Sequence, residues 1–286
     1  MDYQSPLAKQ EIDRIINNAL REDVGDGDHS SLACIPSTAQ GKARLLVKDD
    51  GVLAGVEFAR AVFKAVDPHL ELEVKIEDGS SIQYGDEAFY VSGSSRSILK
   101  AERLALNAMQ RMSAIATKTR KFVDLLHGTG TQILDTRKTT PGLRILEKWA
   151  VNIGGGVNHR FGLYDVIMLK DNHIDFAGGV SQAIQKTHDY LKSTGRDLKI
   201  IVEARDLVEI EEILKNQGVY RILIDNFNYE DTRKAVELIG DQCLTESSGG
   251  INLKTARKYA ECGVDFISSG ALTHSVYNLD LSLKAM

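Results

Sequence analysis

The chain has 286 residues, of which 43% are hydrophobic and 26% charged, enough apolar material for a sizeable core and too much for a disordered or fibrous chain. No stretch approaches the roughly 18 consecutive apolar residues that a bilayer span needs, and MDYQSPLAKQEIDRII carries no charged-then-apolar leader pattern. Cys34, Cys243 and Cys262 form no CxxC pair and leave one over after any pairing, so all three are expected as buried thiols in a reducing, cytoplasmic setting, with no structural zinc.

The net charge of −5 is unevenly spread. Residues 96–170 hold 13 Lys and Arg against five acids, a net of +8, while the rest of the chain carries −13. A basic island in an acidic chain suits an anionic ligand, although a solvated basic face has the same composition.

In chain order, IDRIINNALRED (12–23) has helical spacing, and GDGDHSS (25–31) breaks it. GKARLLVKDDGVLAG (41–55) reads as strand, turn and strand, and VEFARAVFKAV (56–66) as a helix stopped by Asp67-Pro68. LELEVKIEDG (70–79) alternates as a half-buried strand does, and 78–93 supplies a further turn and strand. From Ser97 the period is helical, with Leu104, Ala105, Ala108, Met109 and Met112 on one face and Arg103, Asn107, Gln110 and Arg111 on the other. That polar face is either solvated or turned to a partner or ligand.

A βα grammar then begins. The runs QILDT (132–136), VIMLK (166–170), KIIVE (199–203), RILID (221–225), CLTE (243–246) and VDFISSG (264–270) read as strands. Helical segments 179–192, 207–216, 231–239 and 252–262 separate most of them. Alternating strands and helices imply a parallel sheet closed into, or approaching, a barrel. An eight-stranded barrel usually takes about 250 residues, so six to seven strands in an incomplete, open βα barrel fit better. The overall expectation is an α/β protein: an α/β sandwich domain over 1–115, to which the tail 272–286 returns, and the barrel over 116–271.

Each strand run ends in a polar residue: Asp135, Lys170, Glu203, Asp225, Glu246, and Ser268-Ser269. Strand carboxyl ends form the active-site rim of such barrels, so these groups are expected at one mouth. TESSGGI (245–251) and ISSGAL (267–272) put Ser-Gly after a strand and before a helix, where backbone N–H groups and hydroxyls cradle a phosphate. Arg137, Lys138, His159, Arg160 and Lys170 add forks and point charges for a small polyanion. Gly154–Gly156 either permit a close backbone approach or make a flexible loop. Glu203 and Asp225 offer hard oxygens for Mg²⁺, and equally suit ribose hydroxyls or nearby lysines. No Walker A, strand-linked GxGxxG or HExxH pattern occurs, which disfavours nucleoside triphosphates, dinucleotides and histidine–zinc catalysis.

AERLALNAMQRMSAIAT, ILDTRKTTPGLR, NHRFGLYDVIMLKDNH, ILIDNF and ESSGGI together resemble the carboxylating nicotinate-nucleotide pyrophosphorylases, also called quinolinate phosphoribosyltransferases, from about Glu22 to the terminal LDLSLKAM. The resemblance implies a Mg²⁺-dependent reaction of quinolinate with phosphoribosyl pyrophosphate, giving nicotinate mononucleotide, pyrophosphate and CO₂ in NAD biosynthesis. It also implies an obligate homodimer, in which the sandwich domain of one subunit closes over the barrel of the other. By the same resemblance Arg103 reaches quinolinate across the interface, and Thr136, Arg137, Lys138, His159 and Arg160 form the pocket for its carboxylates. Lys170 lies where both substrates meet. Glu203 and Asp225 are the ribose- and metal-side acids, acting on the metal through water or substrate, and Lys138, Lys170, Glu203 and Asp225 are the catalytic set. Ser248, Gly249, Gly250, Ser269 and Gly270 match the 5-phosphate loops, with His274 as a further phosphate-side residue. His29 and Tyr277 depart from the family pattern, both outside the ligand motifs.

Three other readings compete: a barrel lyase forming a Schiff base on Lys170, a pyrophosphorylase-like paralogue associated with molybdate transport, and a nucleic-acid-binding basic island. The last lacks any recognised nucleic-acid module and sits in an acidic chain.

Overall fold

The computed structural model describes Tyr3 and residues 5–286. In chain order its elements are α1 (Pro6–Val24), α2 (His29–Cys34), β1 (Gln40–Val47), β2 (Gly51–Val52), α3 (Val56–Val66), β3 (Glu71–Val74), β4 (Ser81–Ile82), β5 (Glu87–Ser94) and α4 (Ser95–Leu126). There follow β6 (Gln132–Leu134), α5 (Arg144–Ile153), β7 (Ile167–Leu169), α6 (Asp171–Ala177), α7 (Val180–Thr194), β8 (Ile200–Ala204), α8 (Leu207–Leu214) and β9 (Val219–Asp225). The chain ends with α9 (Tyr229–Ile239), β10 (Leu244–Ser248), α10 (Ala256–Ala260), β11 (Phe266–Ser268), α11 (Ala271–His274) and β12 (Leu281–Ala285). It divides into two compact units, one of residues 1–120, 139–155 and 272–286, the other of 121–138 and 156–271.

The first unit is built on an antiparallel sheet in the order β12-β1-β5-β3. Alternation along β1 turns Ala43, Leu45 and Val47 inward. Buried Val56, Phe58, Ala59, Val62 and Phe63 give α3 its core face, and Phe63 meets Phe89 of β5 edge to face at 5.9 Å. Ser5 and Pro6 open α1 as cap and first residue, and Gly25 ends it. The polar face of α4 divides: Arg103 and Asn107 are exposed, whereas Gln110 donates to Leu281 O at 2.9 Å and Arg111 binds the fully buried Glu147 of α5 at 2.9 Å. Gly154 resolves the glycine-run alternatives at its own position, since an added β-carbon would lie 2.5 Å from Ala116 O of α4. Close approach, not looseness, requires glycine there.

The second unit is a six-stranded parallel sheet in the order β6-β11-β10-β9-β8-β7. Strands β7 to β11, successive in sequence, lie side by side, and β6 joins at β11. The sheet stays open between β6 and β7, where Val157 makes a lone parallel bridge to Leu134. This is the incomplete barrel expected, with six strands. Ile201 sits opposite Arg221, and Glu246 opposite both Leu223 and Phe266, so registry carries charged as well as apolar residues into the strand interiors.

Local expectations fail in four places. His29–Cys34 is helical because Asp28 caps it, accepting from Ser31 N at 3.1 Å. Residues 252–255 form a turn closed by Asn252 and Thr255, so α10 is shorter than the expected 252–262. Helices α5 and α6 are not among the helical segments that the sequence predicts. Cys34 is exposed and Cys243 half-buried, and only Cys262 is buried. Exposure of Cys34 follows from its place at the end of a two-turn helix whose buried residue is Ser31.

Candidate active site

The site lies at the carboxyl ends of the strands of the second unit. Its first support is Asp135, which follows β6 and is fully buried. Its carboxylate accepts the His159 N–H at 2.8 Å and Asn158 Nδ2 at 2.7 Å, so it is a post for the 157–160 loop and not an exposed rim acid. The loop then presents Arg160. Asp165 ties the far side, accepting the Phe161 and Gly162 N–H groups at 2.6 and 2.9 Å.

Thr136, Arg137, Lys138, His159, Arg160 and Lys170 line one cavity of about 180 Å³ together with Met168, Leu223, Glu246, Ser248 and Ser268. Burial and the neighbouring Arg137 guanidinium both push the Arg160 pKa down from its ordinary value, with Asp165 opposing them. Arg137 and Arg160 therefore repel each other across this site, a geometry that an anion relieves. Lys170 pairs with Glu203 at 2.6 Å, and its backbone N–H donates to His173 at the start of α6. A Schiff-base lysine must be free to attack a carbonyl, whereas the Lys170 amine is engaged by Glu203.

Below these groups lies a buried ion pair. Arg221 Nη1 donates to Glu246 Oε2 at 2.7 Å, and its guanidinium sits 4.2 Å from the Phe266 ring centroid. His159 Nε2 is 3.2 Å from the same Oε2, while His159 Nδ1 accepts the Arg160 N–H at 2.6 Å. Burial raises the Glu246 pKa, but His159 and Arg221 more than offset it and leave it at about 2. Glu246 is thus an interior anchor for His159, not a rim group.

The remaining expected residues are placed as follows. Glu203 is nearly buried against Lys170. Half-buried Asp225 ends β9 and accepts from Asn226 Nδ2 at 2.6 Å. Ser248 ends β10, and Gly249 and Gly250 follow with φ of 99° and 61°, a conformation glycine adopts without strain. Ser269 is buried and donates to Ile251 O at 2.8 Å, and Gly270 follows it. None of Glu203, Asp225, Gly249, Gly250, Ser269 and Gly270 is among the cavity-lining residues. Exposed Arg103 and His274 belong to the first unit. Ser268, a strand-end residue expected at the mouth, lines the cavity; Met168 and Leu223 line it without having been singled out, and period two counted back from Lys170 and Asp225 is the signal that finds them.

Two family models cover the chain almost end to end, the quinolinate phosphoribosyl transferase N-terminal domain over residues 28–113 and its C-terminal domain over 115–284. The carboxylating, chloroplastic nicotinate-nucleotide pyrophosphorylase of Oryza sativa subsp. japonica is 45% identical, over 96% of this chain and 77% of its own. A probable carboxylating enzyme of the same name from Bacillus subtilis (strain 168) is 38% identical, over 96% and 93%. A crystal structure of NadC from Streptococcus pyogenes superposes with a TM-score of 0.92 at 38% identity, covering 99% of this chain and all of that one. With both domains matched and relatives 38–45% identical over most of their length, the chain belongs to the quinolinate phosphoribosyltransferase family.

Proposed function

We infer that this protein transfers the phosphoribosyl group of phosphoribosyl pyrophosphate to quinolinate and releases CO₂ and pyrophosphate, forming nicotinate mononucleotide for NAD biosynthesis. The observation that carries the reading is the convergence of Arg137, Lys138, Arg160 and Lys170 on one cavity of a family member. Two guanidiniums in mutual repulsion suit the paired carboxylates of quinolinate, which each can grip as a fork.

The main task of these side chains is positioning, since two anionic reactants must be held at near-attack distance. The pyridine nitrogen pair forms a bond to ribose C1 as the C1–O bond to pyrophosphate breaks, through a state with oxocarbenium character. Carboxylates at Glu203 and Asp225 balance positive charge there. The N-alkylated ring then accepts the electron pair left when the adjacent carboxylate departs as CO₂, and that carbon takes a proton. No side chain forms a covalent bond.

Mg²⁺ fits this reading. Among the described residues no group of three or more His, Cys, Asp or Glu makes a metal cage, and Mg²⁺ typically needs only one or two carboxylates plus substrate phosphates and water. Glu203 and Asp225 would hold it, directly or through water or substrate, and when bound it supplies charge neutralisation for the leaving pyrophosphate. The reading includes a homodimer with a shared site, in which exposed Arg103 serves the partner's cavity. It also includes a cytoplasmic location, supported by three unpaired cysteines; no helix among the described residues is long and apolar enough to cross a membrane.

Incubation of the purified protein with quinolinate, phosphoribosyl pyrophosphate and Mg²⁺ is expected to give nicotinate mononucleotide and CO₂ in equal amounts. Absence of both products from folded protein rejects the reading.

A further inference from the structure

Asn226 is the one non-glycine residue with positive φ, 58°, among the described residues. Asparagine tolerates this region better than most residues, yet the conformation still costs on the order of 1 kcal/mol and persists only where its surroundings enforce it. Three contacts do so here. The Asn226 N–H donates to Ser248 O at 2.9 Å, and its Nδ2 donates to Asp225 Oδ2 at 2.6 Å. Gly249 packs against it so tightly that a β-carbon there would lie 2.6 Å from Asn226 Cγ and 2.9 Å from Asn226 N, and closer still to Oδ1. A single left-handed residue thus hooks the acid at the end of β9 to the glycine turn that follows β10.

We propose that Asn226 is a positioning residue for the phosphoribosyl half of the site. Its amide aims the Asp225 carboxylate, and its body sets the shape of Ser248-Gly249-Gly250. The inference rests on the phosphoribosyl-transfer reading, because that reading gives Asp225 the ribose side and the glycine turn the 5-phosphate. A residue needed only to make the turn would be replaced by glycine without loss, since glycine takes positive φ freely. A residue needed for its amide would not.

The test compares Asn226→Gly with wild type by KM for each substrate and by calorimetric binding of two probes, quinolinate alone and the product nicotinate mononucleotide, which carries ribose 5-phosphate. Asn226→Gly is expected to keep its thermal midpoint and its quinolinate affinity within twofold. Its KM for phosphoribosyl pyrophosphate should rise, and its product affinity fall, by about tenfold or more, as for a lost bond to a charged group. Wild-type values for Asn226→Gly in the phosphoribosyl ligands, or equal losses for quinolinate and the phosphoribosyl ligands, overturn the proposal. A wild-type protein that turns over neither substrate rejects the phosphoribosyl-transfer reading itself, whereas an active wild type matched by Asn226→Gly rejects only the role of Asn226.

Discussion

Removal of the Arg221 guanidinium probes the buried anchor under the cavity. Glu246 is fully buried, and its pKa falls from the ordinary 4.5 to about 2: burial raises it, and the close His159 and Arg221 more than offset that. A folded value below the unfolded one contributes stability above the ordinary carboxylate range, and that contribution is lost as pH falls toward 2. A drop of this size is worth about 3 kcal/mol and is shared between His159, the larger contributor, and Arg221; removing one partner of a buried pair costs roughly 3–5 kcal/mol. Arg221→Met is therefore expected to lower Tm at pH 7 by about 6–20 °C, taking roughly 2–4 °C per kcal/mol for a chain of this class. Left with His159 alone, the carboxyl takes up a proton more readily than in wild type, so the gap from wild type should narrow at pH 4, where the wild-type group remains ionised. Arg221→Met/Glu246→Gln should regain part of the loss, because the buried charge that has lost one of its two partners is gone. Thermal unfolding followed by circular dichroism at both pH values reads all three effects. A gap of equal size at pH 7 and pH 4, with no recovery in the double variant, would refute the reasoning.

Three further outcomes are expected. Gly154→Ala sets a β-carbon 2.5 Å from Ala116 O and 2.7 Å from Thr119 Cβ, and such overpacking costs about 1–3 kcal/mol; an unchanged Tm would show that α4 yields freely. Arg103→Ala and Lys138→Ala are each expected to abolish most turnover, and exchange of their subunits to restore part of it, since one mixed site carries both side chains. No recovery after confirmed exchange contradicts the shared site. Quinolinate should raise Tm with a dependence on salt, because Arg137 and Arg160 supply a charged grip, and at a ligand concentration of 100 Kd the stabilisation is about 2.7 kcal/mol; a salt-independent shift would assign the grip to apolar contact.

The sequence names the chemistry better than its depth. Arg137 and Lys138 follow a short β run and Lys170 ends another, so their convergence on one cavity is legible from strand ends, whereas Arg160 lies in a glycine-rich stretch and is placed there by the family resemblance. Helix α3 is equally legible, because its apolar spacing and the Asp67-Pro68 stop agree. Helix α5 is not, although Ile145, Leu146, Ala150 and Val151 are buried along it, because Gly142 before it and three glycines after it resemble loop punctuation.

Glu246 and Arg221 fail for a different reason. A charged residue in an apolar run is assigned to the nearer strand end by default, since burying it alone costs too much. Their burial becomes favourable only when parallel registry brings the strands into line, with Glu246 opposite Leu223 and Phe266 and Arg221 opposite Ile201, so that each charge meets its counter-charge inside the sheet. The pairing of Arg221 with Glu246, 25 positions apart in the chain, is set by the parallel alignment of β9 and β10 and not by any local pattern. The same holds for Asn226 and Gly249: an asparagine after an aspartate and a glycine after two serines are ordinary turn residues in sequence. Registry brings Ser248 opposite Asp225, and only then does the positive φ of Asn226 acquire the contacts that sustain it.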